Sequence, residues 1–240
     1  MPKYSKKMDG WADALKDRGY SKLAGQLITD MGNRGSALKV LEEMRLPTYR
    51  HAVVSADRFL EDPESILSGL SSDTYYITLL PKKPELQRYS KSGLTAEETV
   101  DFVKFHASYN LQGYDVLLQE FETNLFGGTI ISNEDCIHVE LCKGKQSEVA
   151  YGTAQVMTAT RGRFSPSFRY SVDDTETRGL IWGALQFIRE RDEAERQTQV
   201  SFAKGYFEFA ITQSSRGMRF VFFDYNKSPS YTSLGFSGAL

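Results

Sequence analysis

The apolar positions of the chain follow two periods, which predict a mixture of helices and strands. Apolar residues recur every three to four positions in segments 11–31, 35–44, 95–106 and 175–197, which is the helical period. Alternating or continuous runs rich in β-branched and aromatic residues predict strands at 51–56, 74–80, 115–121, 129–132, 136–141, 207–211 and 219–223. Thr95 and Glu98 have the spacing of a capping box, so a helix is expected to begin there.

The order of these elements predicts the fold class. Helices and strands alternate without the regular strand–helix–strand rhythm of a doubly wound sheet, so the sequence favours an α+β fold. Gly127-Gly128 predicts a turn, and Asn133-Glu134-Asp135 predicts the turn of a hairpin between the strands on either side of it. The segment from 227 to 240, rich in serine, is expected to be a loop or tail.

Charge and composition exclude several classes of protein. The 240 residues include 29 lysines and arginines and 31 aspartates and glutamates, for a net charge of −2 at pH 7. This balance is not typical of dedicated nucleic-acid-binding or membrane-surface proteins. The chain has no apolar run near the ~20 residues of a transmembrane helix, and no secretory signal is evident. We therefore expect a cytoplasmic protein that does not contact membranes, and the charge balance disfavours nucleic acid as its partner.

The histidines and cysteines do not form a metal-binding or nucleophilic motif. None of His51, His106 and His138 lies beside a cysteine or a second histidine at metal-ligand spacing, and we interpret all three as packing or surface residues. Cys136 and Cys142 do not make a disulfide framework, and we expect them to be small buried side chains.

Two arginines lie in segments suited to anion binding. Arg34 lies in the turn Gly32-Asn33-Arg34-Gly35 before a predicted helix, and the N–H groups at a helix N-terminus attract phosphate. Arg88 also precedes a predicted helix, and its guanidinium fork matches phosphate geometry. With Lys91, these arginines form a candidate polyphosphate clamp. Ordinary solvated loops are the alternative interpretation.

A strand end supplies a second candidate binding element. The strand predicted at 115–121 runs into Gln119-Glu120-Phe121-Glu122. Backbone N–H and C=O groups at such an end suit the edge of an adenine ring, and Glu122 suits ribose hydroxyls. The alternative is an ordinary edge-strand terminus.

Acidic residues in the last two predicted strands form a candidate metal site. Glu208 lies between Phe207 and Phe209, so it faces away from them on the strand. Asp224 and Asn226 are two residues apart and can share a face. Mg²⁺ prefers oxygen ligands and commonly takes one or two carboxylates together with substrate phosphates. The alternative is a pair of solvated acids on a sheet surface.

Taken in chain order, residues 32–226 resemble the ATP-grasp nucleotide-binding domain of the phosphoenolpyruvate synthase and pyruvate phosphate dikinase family. The segments that carry the resemblance are Gly32-Asn33-Arg34-Gly35, Leu46-Pro47, Ala52-Val53-Val54-Ser55-Ala56, Gln87-Arg88-Tyr89-Ser90, Leu94-Thr95-Ala96-Glu97-Glu98, Leu118-Gln119-Glu120-Phe121, Gly127-Gly128-Thr129, Val139-Glu140-Leu141-Cys142-Lys143-Gly144 with Gly152, Tyr206-Phe207-Glu208-Phe209 and Phe223-Asp224.

The resemblance implies an ATP-grasp-like α+β fold of two lobes, whose mixed or antiparallel sheets enclose a nucleotide cleft. It implies an N-terminal lobe at 1–114, a C-terminal lobe at 115–226 and a tail at 227–240. It also implies binding of ATP and Mg²⁺ and phosphoryl transfer, as in a transferase or kinase. The residues implied to contact phosphate are Arg34 and Arg88, those implied to line the adenosine pocket are Gln119, Glu120, Phe121 and Glu122, and those implied to hold Mg²⁺ are Glu208, Asp224 and Asn226.

The sequence departs from the family pattern at several points, so we do not expect the complete activity of that family from this chain. Arg34 stands where the family has lysine, and Tyr206 stands where it has aspartate. The 240 residues leave no room for the family's phosphohistidine domain or pyruvate-binding barrel. We therefore expect a reduced stand-alone enzyme, a subunit whose protein partner supplies the missing domains, or a non-catalytic binding descendant. A third class, an RNA- or protein-interaction domain, would use the aromatic residues and the basic loop Arg161-Gly162-Arg163.

Overall fold

A computed structural model describes residues 34–70, 72–83, 85–134, 136–144, 155–162, 165–190, 201–214 and 217–227. The helices in these residues are α1 (Arg34–Glu43), α2 (Ala56–Glu61), α3 (Pro63–Ser68), α4 (Ala96–Ala107) and α5 (Thr175–Phe187). The strands are β1 (His51–Ser55), β2 (Tyr75–Pro81), β3 (Tyr89–Leu94), β4 (Tyr114–Glu120), β5 (Thr123–Ser132), β6 (Cys136–Lys143), β7 (Met157–Gly162), β8 (Arg169–Tyr170), β9 (Gly205–Ser214) and β10 (Gly217–Asn226).

The α+β class predicted from the sequence is confirmed. The strands form two sheets, one with the order β1-β4-β2-β3 and one with the order β10-β9-β5-β6-β7-β8. The chain divides into two compact units, and each unit contains one sheet. Among the described residues, the four-stranded unit comprises 34–39 and 48–123, and the six-stranded unit comprises 40–47 and 124–227. None of the described helices is long and apolar enough to cross a membrane.

The four-stranded unit places β4 in the interior of its sheet. β4 pairs antiparallel with both β1 and β2, so Gln119 lies opposite His51 on one side and Tyr76 on the other. One sheet face carries the apolar core of the unit, to which α2 contributes Phe59 and α4 contributes Val103. The predicted capping box begins α4: Thr95 Oγ1 accepts from the Glu98 N–H, and Glu98 accepts from the Thr95 N–H.

In the six-stranded unit, α5 covers one face of the sheet. A Cβ atom added at Gly183 of α5 would lie 2.7 Å from the Phe220 ring. The Phe187 ring centroid lies 5.5 Å from that of Phe220 and 5.9 Å from that of Phe222. A Cβ atom at Gly128 would lie 2.6 Å from the Phe209 ring, so this first face continues from β9 and β10 into β5.

The second face of the same sheet carries most of its polar side chains. Side chains alternate along a strand and directly opposed residues share a face, so the face of each residue follows from the strand register. The second face includes Thr129 of β5, His138 and Glu140 of β6, Thr158 and Thr160 of β7, Tyr206 and Glu208 of β9, and Asp224 and Asn226 of β10.

Several predicted elements need correction. Gly127 and Gly128 do not form a turn; they lie within β5, paired with Cys142 and Leu141 of β6. The predicted helix 175–197 ends at Phe187, because the following residues bond to residues 201–203 in an extended arrangement. The strand assigned to the second lobe, β4, pairs with β1 and β2, so the two units divide after Thr123 rather than after residue 114.

The β5–β6 turn and the buried Cys142 agree with the sequence-based predictions, whereas three strands were not predicted. The β5–β6 hairpin is confirmed, and Asn133 closes its turn: the Cys136 N–H donates to Asn133 Oδ1 at 2.8 Å. β3, β7 and β8 were not predicted; β3 is largely exposed and polar. Cys142 is buried as expected, and Cys136 is half-buried. The predicted helical segment 11–31 and the tail after 227 lie outside the described residues.

Candidate functional site

The two acids predicted to hold a metal are direct cross-strand partners. Asp224 of β10 lies opposite Glu208 of β9, on the second face of the six-stranded sheet. Directly opposed residues have Cβ atoms about 4.5–5.5 Å apart, which allows both carboxylates to reach one cation. Asn226 is opposite Tyr206 on the same face, one residue pair further along. Carboxylate and amide oxygens form a donor set that suits Mg²⁺.

A β-bulge is responsible for this pairing. Phe222 pairs with Phe209, whereas Asp224 pairs with Glu208, so Phe223 is an extra residue in β10. In a regular strand, Asp224 would lie opposite Phe207 and face α5 with the aromatic side chains. The extra residue reverses the alternation and places Asp224 on the second face beside Glu208.

The surroundings of Glu208 hold its carboxylate in one orientation. Glu208 is only 6% exposed, and the Tyr206 hydroxyl donates to its Oε1 at 2.9 Å. Asp224 Oδ1 accepts from the Tyr225 N–H at 2.9 Å. The Tyr225 hydroxyl donates to the Lys204 carbonyl, and burial raises the pKa of Tyr225 above its usual value. Across the described residues, no cluster of three or more His, Cys, Asp or Glu side chains is suited to a metal, so the candidate site has two carboxylates plus Asn226.

The residues predicted to contact adenosine lie in the four-stranded unit, where β4 ends. Gln119 is 4% exposed, and in the described part of the chain its amide Nε2 has no hydrogen-bond acceptor. Glu120 Oε1 accepts from the Arg50 N–H at 3.3 Å, and the Phe121 N–H donates to the Thr74 carbonyl. Glu122 is half-buried in the connection to β5. A buried donor without an acceptor is costly, so Gln119 is the most unusual residue of this group.

The two arginines predicted to contact phosphate also belong to the four-stranded unit. Arg88 directly precedes β3; the residue is half-buried, and its Nε and Nη2 atoms are shielded from solvent. Arg34 is the first residue of α1, but its side chain lies outside the described residues. The candidate residues therefore divide between the units, with Glu208, Asp224 and Asn226 in the six-stranded unit.

A second polar cluster in the six-stranded unit was not predicted from the sequence. The cluster comprises Thr129, His138, Glu140 and Thr160, and its members lie on the second face. Thr129 donates to Glu140 Oε2 at 3.3 Å, His138 Nε2 lies 3.4 Å from Glu140 Oε1, and His138 Nδ1 lies 2.8 Å from Thr160 Oγ1. The contact with His138, followed by that with Thr129, lowers the pKa of Glu140 below 4.5 despite partial burial. The signal in the sequence that could have indicated this cluster was the spacing of His138 and Glu140, two residues apart in one strand.

Comparison with known proteins identifies similar solved structures. No family model and no curated protein matches the chain. A RimK-domain ATP-grasp protein from Sphaerobacter thermophilus is 12% identical, with TM-score 0.40, over 82% of this chain and 58% of that one. The D-alanine–D-alanine ligase from Coxiella burnetii is 12% identical, with TM-score 0.43, over 85% and 49%.

A third solved structure covers more of the chain. The macrocyclase MdnC from Microcystis aeruginosa, bound with the precursor peptide MdnA, is 13% identical, with TM-score 0.45, over 95% of this chain and 66% of that one. The chain thus spans about half to two thirds of the length of the proteins it resembles.

Proposed function

We propose that this chain is an ATP-grasp protein that binds MgATP and transfers its terminal phosphoryl group. It acts either alone, as a reduced enzyme, or with a protein partner that contributes further catalytic domains. The observation that carries the proposal is the cross-strand pair of Glu208 and Asp224, which a β-bulge brings to the same sheet face as Asn226. Glu208 is buried and Asp224 is half-buried, and two directly opposed carboxylates can supply oxygen ligands to one cation.

In this proposal Glu208, Asp224 and Asn226 hold Mg²⁺ through oxygen atoms, and the Tyr206 hydroxyl orients Glu208. The bound metal would neutralise charge on the phosphate oxygens. Arg88 and Arg34 add fixed positive charge for the phosphates. Phosphoryl transfer depends mainly on positioning and charge neutralisation, so metal-binding and cationic side chains of this kind support the proposed reaction class.

The strand end Gln119-Glu120-Phe121-Glu122 would receive the adenosine moiety. The buried Gln119 amide requires an acceptor, and ring nitrogens of adenine are acceptors. The half-buried Glu122 carboxylate would accept from ribose hydroxyls.

The test is calorimetric titration of the chain with ATP, with and without Mg²⁺, for the wild type and for a Glu208→Gln, Asp224→Asn double variant. We expect saturable ATP binding by the wild type, with a higher affinity in the presence of Mg²⁺. In the double variant the gain in affinity from Mg²⁺ should be at least tenfold smaller, which corresponds to about 1.4 kcal/mol of binding free energy. Glu190→Gln, which changes an exposed acid of the same unit, is the control and should bind as the wild type does. Wild-type protein that does not saturate with MgATP would refute the proposal.

A second candidate function is nucleotide binding without turnover. Tyr206, which replaces an acid of the resembled family, supports it, because its hydroxyl uses one oxygen of Glu208 and supplies no charge for a second metal. The two functions differ in whether protein that binds MgATP also releases ADP. A coupled enzyme assay measures that release. Release that is lost in Asp224→Asn supports phosphoryl transfer, and binding without release supports the second candidate.

A further inference from the structure

Glu140 is a carboxylate held in place by neighbours on two strands. Its Oε2 accepts from Thr129 of β5, and its Oε1 lies near His138 of the same strand. The His138 ring is in turn held by Thr160 of β7. A carboxylate has about four lone-pair sites, so each oxygen retains capacity for a further donor.

No permanent cation neutralises this carboxylate in the described part of the chain. Within the described residues, the basic side chain in contact with Glu140 is His138, and neither a lysine nor an arginine is among the causes that lower the pKa of Glu140. The Glu140 side chain is 32% exposed and the His138 side chain 20%. Glu140 is therefore oriented and partly desolvated, yet accessible to a donor from outside the protein. Such a group favours a cationic partner, because charge-assisted hydrogen bonds are the strongest a carboxylate makes.

Glu140 lies on the same sheet face as the proposed metal site. Glu140 and Glu208 lie on the same face of the six-stranded sheet, on strands β6 and β9. β5 lies between them, so the two strands are two spacings apart, about 10 Å. A molecule that lies along this face and reacts near the metal can therefore reach Glu140 with a group several bonds from its reacting atom.

We propose that Glu140 binds a protonated amine or guanidinium of the second substrate, so that the phosphoryl acceptor is a cationic molecule. The cationic site is independent of the proposed function, whereas its role in acceptor binding rests on it. Thr129 and His138 are positioning residues that keep both Glu140 oxygens directed toward the face.

The test uses three small probes and does not require turnover. The probes are the N-acetyl methylamides of lysine, arginine and norleucine; the norleucine probe resembles lysine but has no charge. Binding is followed by chemical-shift changes and by calorimetry at low and high salt, in wild-type protein and in Glu140→Gln. Glu190→Gln is the control for an exposed acid of the same unit.

We expect the lysine and arginine probes to bind saturably and more weakly at high salt, with at least tenfold lower affinity in Glu140→Gln and no change in Glu190→Gln. The norleucine probe should not bind. Equal binding of all three probes, or equal affinity in wild type and Glu140→Gln, would overturn the proposal. Thr129→Val is a second test variant, in which the charge of Glu140 is kept. It should lower the affinity for both cationic probes by a smaller factor than Glu140→Gln does.

A titration with MgATP separates this inference from the proposed function. If Glu140→Gln binds MgATP like the wild type but loses the cationic probes, both proposals are supported. If the wild type binds the probes but not MgATP, only the proposed function fails. If it binds MgATP but not the probes, only the Glu140 site fails.

Discussion

Tyr206 donates its hydroxyl hydrogen to Glu208 Oε1 at 2.9 Å, two residues along the same strand. The acceptor is a buried acid, whereas the hydroxyl of Tyr225 on the neighbouring strand donates to a neutral backbone carbonyl, that of Lys204. Hydrogen bonds to charged groups contribute about 1.5–3 kcal/mol, and neutral ones about 1 kcal/mol.

The first prediction compares these two tyrosines. Tyr206→Phe should lower the free energy of unfolding more than Tyr225→Phe, by about 1 kcal/mol, because it removes a donor from a buried carboxylate. Urea denaturation at neutral pH measures both values. Equal losses in the two variants would mean that the Tyr206 hydroxyl does not support Glu208.

The second prediction concerns the buried amide of Gln119. Gln119→Leu should stabilise the ligand-free protein, since it removes a buried donor that lacks an acceptor in the described part of the chain. The same change should weaken ATP binding if the amide receives adenine. Thermal unfolding and ATP titration are compared with those of Gln112→Leu, an exposed position. A variant that is less stable than the wild type would show that Gln119 is satisfied within the protein.

The third prediction concerns Gly128 in β5. A Cβ atom there would lie 2.5 Å from the Glu140 carbonyl oxygen and 2.6 Å from the Phe209 ring, so Gly128→Ala should destabilise the protein by about 1–3 kcal/mol. Gly179→Ala in α5 is the matched control, because no atom lies within 4 Å of its added Cβ. Alanine should stabilise that helix by up to about 1 kcal/mol. Urea denaturation should show that the free energy of unfolding falls in Gly128→Ala and rises in Gly179→Ala. Changes of the same sign in both variants would contradict the described packing.

The fourth prediction concerns His106, which stacks on Tyr89 with ring centroids 4.3 Å apart. Burial and then the charge of Lys91 lower the pKa of His106 below 6.5. The unfolded chain therefore binds a proton more readily than the folded protein, so stability should rise with pH from about 5 to 7.

Two measurements check the behaviour of His106. Proton NMR titration should give a pKa below 6.5 that increases in Lys91→Met. His106→Phe, which keeps an aromatic ring in the stack, should flatten the rise in stability between about pH 5 and pH 7. An unchanged slope in His106→Phe would show that another group titrates in this range.

Local signals were sufficient for the elements that local contacts determine. Thr95 and Glu98 predicted the start of α4, because both hydrogen bonds of the capping box lie within four residues. Asn133 marked the β5–β6 turn, because its side chain bonds to an N–H three residues later. These interactions do not depend on the rest of the fold.

Features that depend on distant strands were not predictable. Gly127-Gly128 looks like a turn, but glycine at 128 is required by the Phe209 ring, 81 positions later in the chain. The bulge at Phe223 also could not be recognised from the sequence, because simple alternation from Phe220 and Phe222 would direct Asp224 toward α5. The acids of the candidate site were recognisable by type, whereas their shared face depends on the bulge.

The central place of β4 also has a consequence for biosynthesis. β1 pairs with β4, and β2 lies between β3 and β4, so β1 lacks its β4 partner and β2 lacks the second of its two partners until residue 120 has been added. A nascent chain that stops before Tyr114 exposes the edges of two strands to neighbouring molecules. Ribosome-bound chains of increasing length should therefore gain protease resistance in a single step, once β4 has left the exit tunnel.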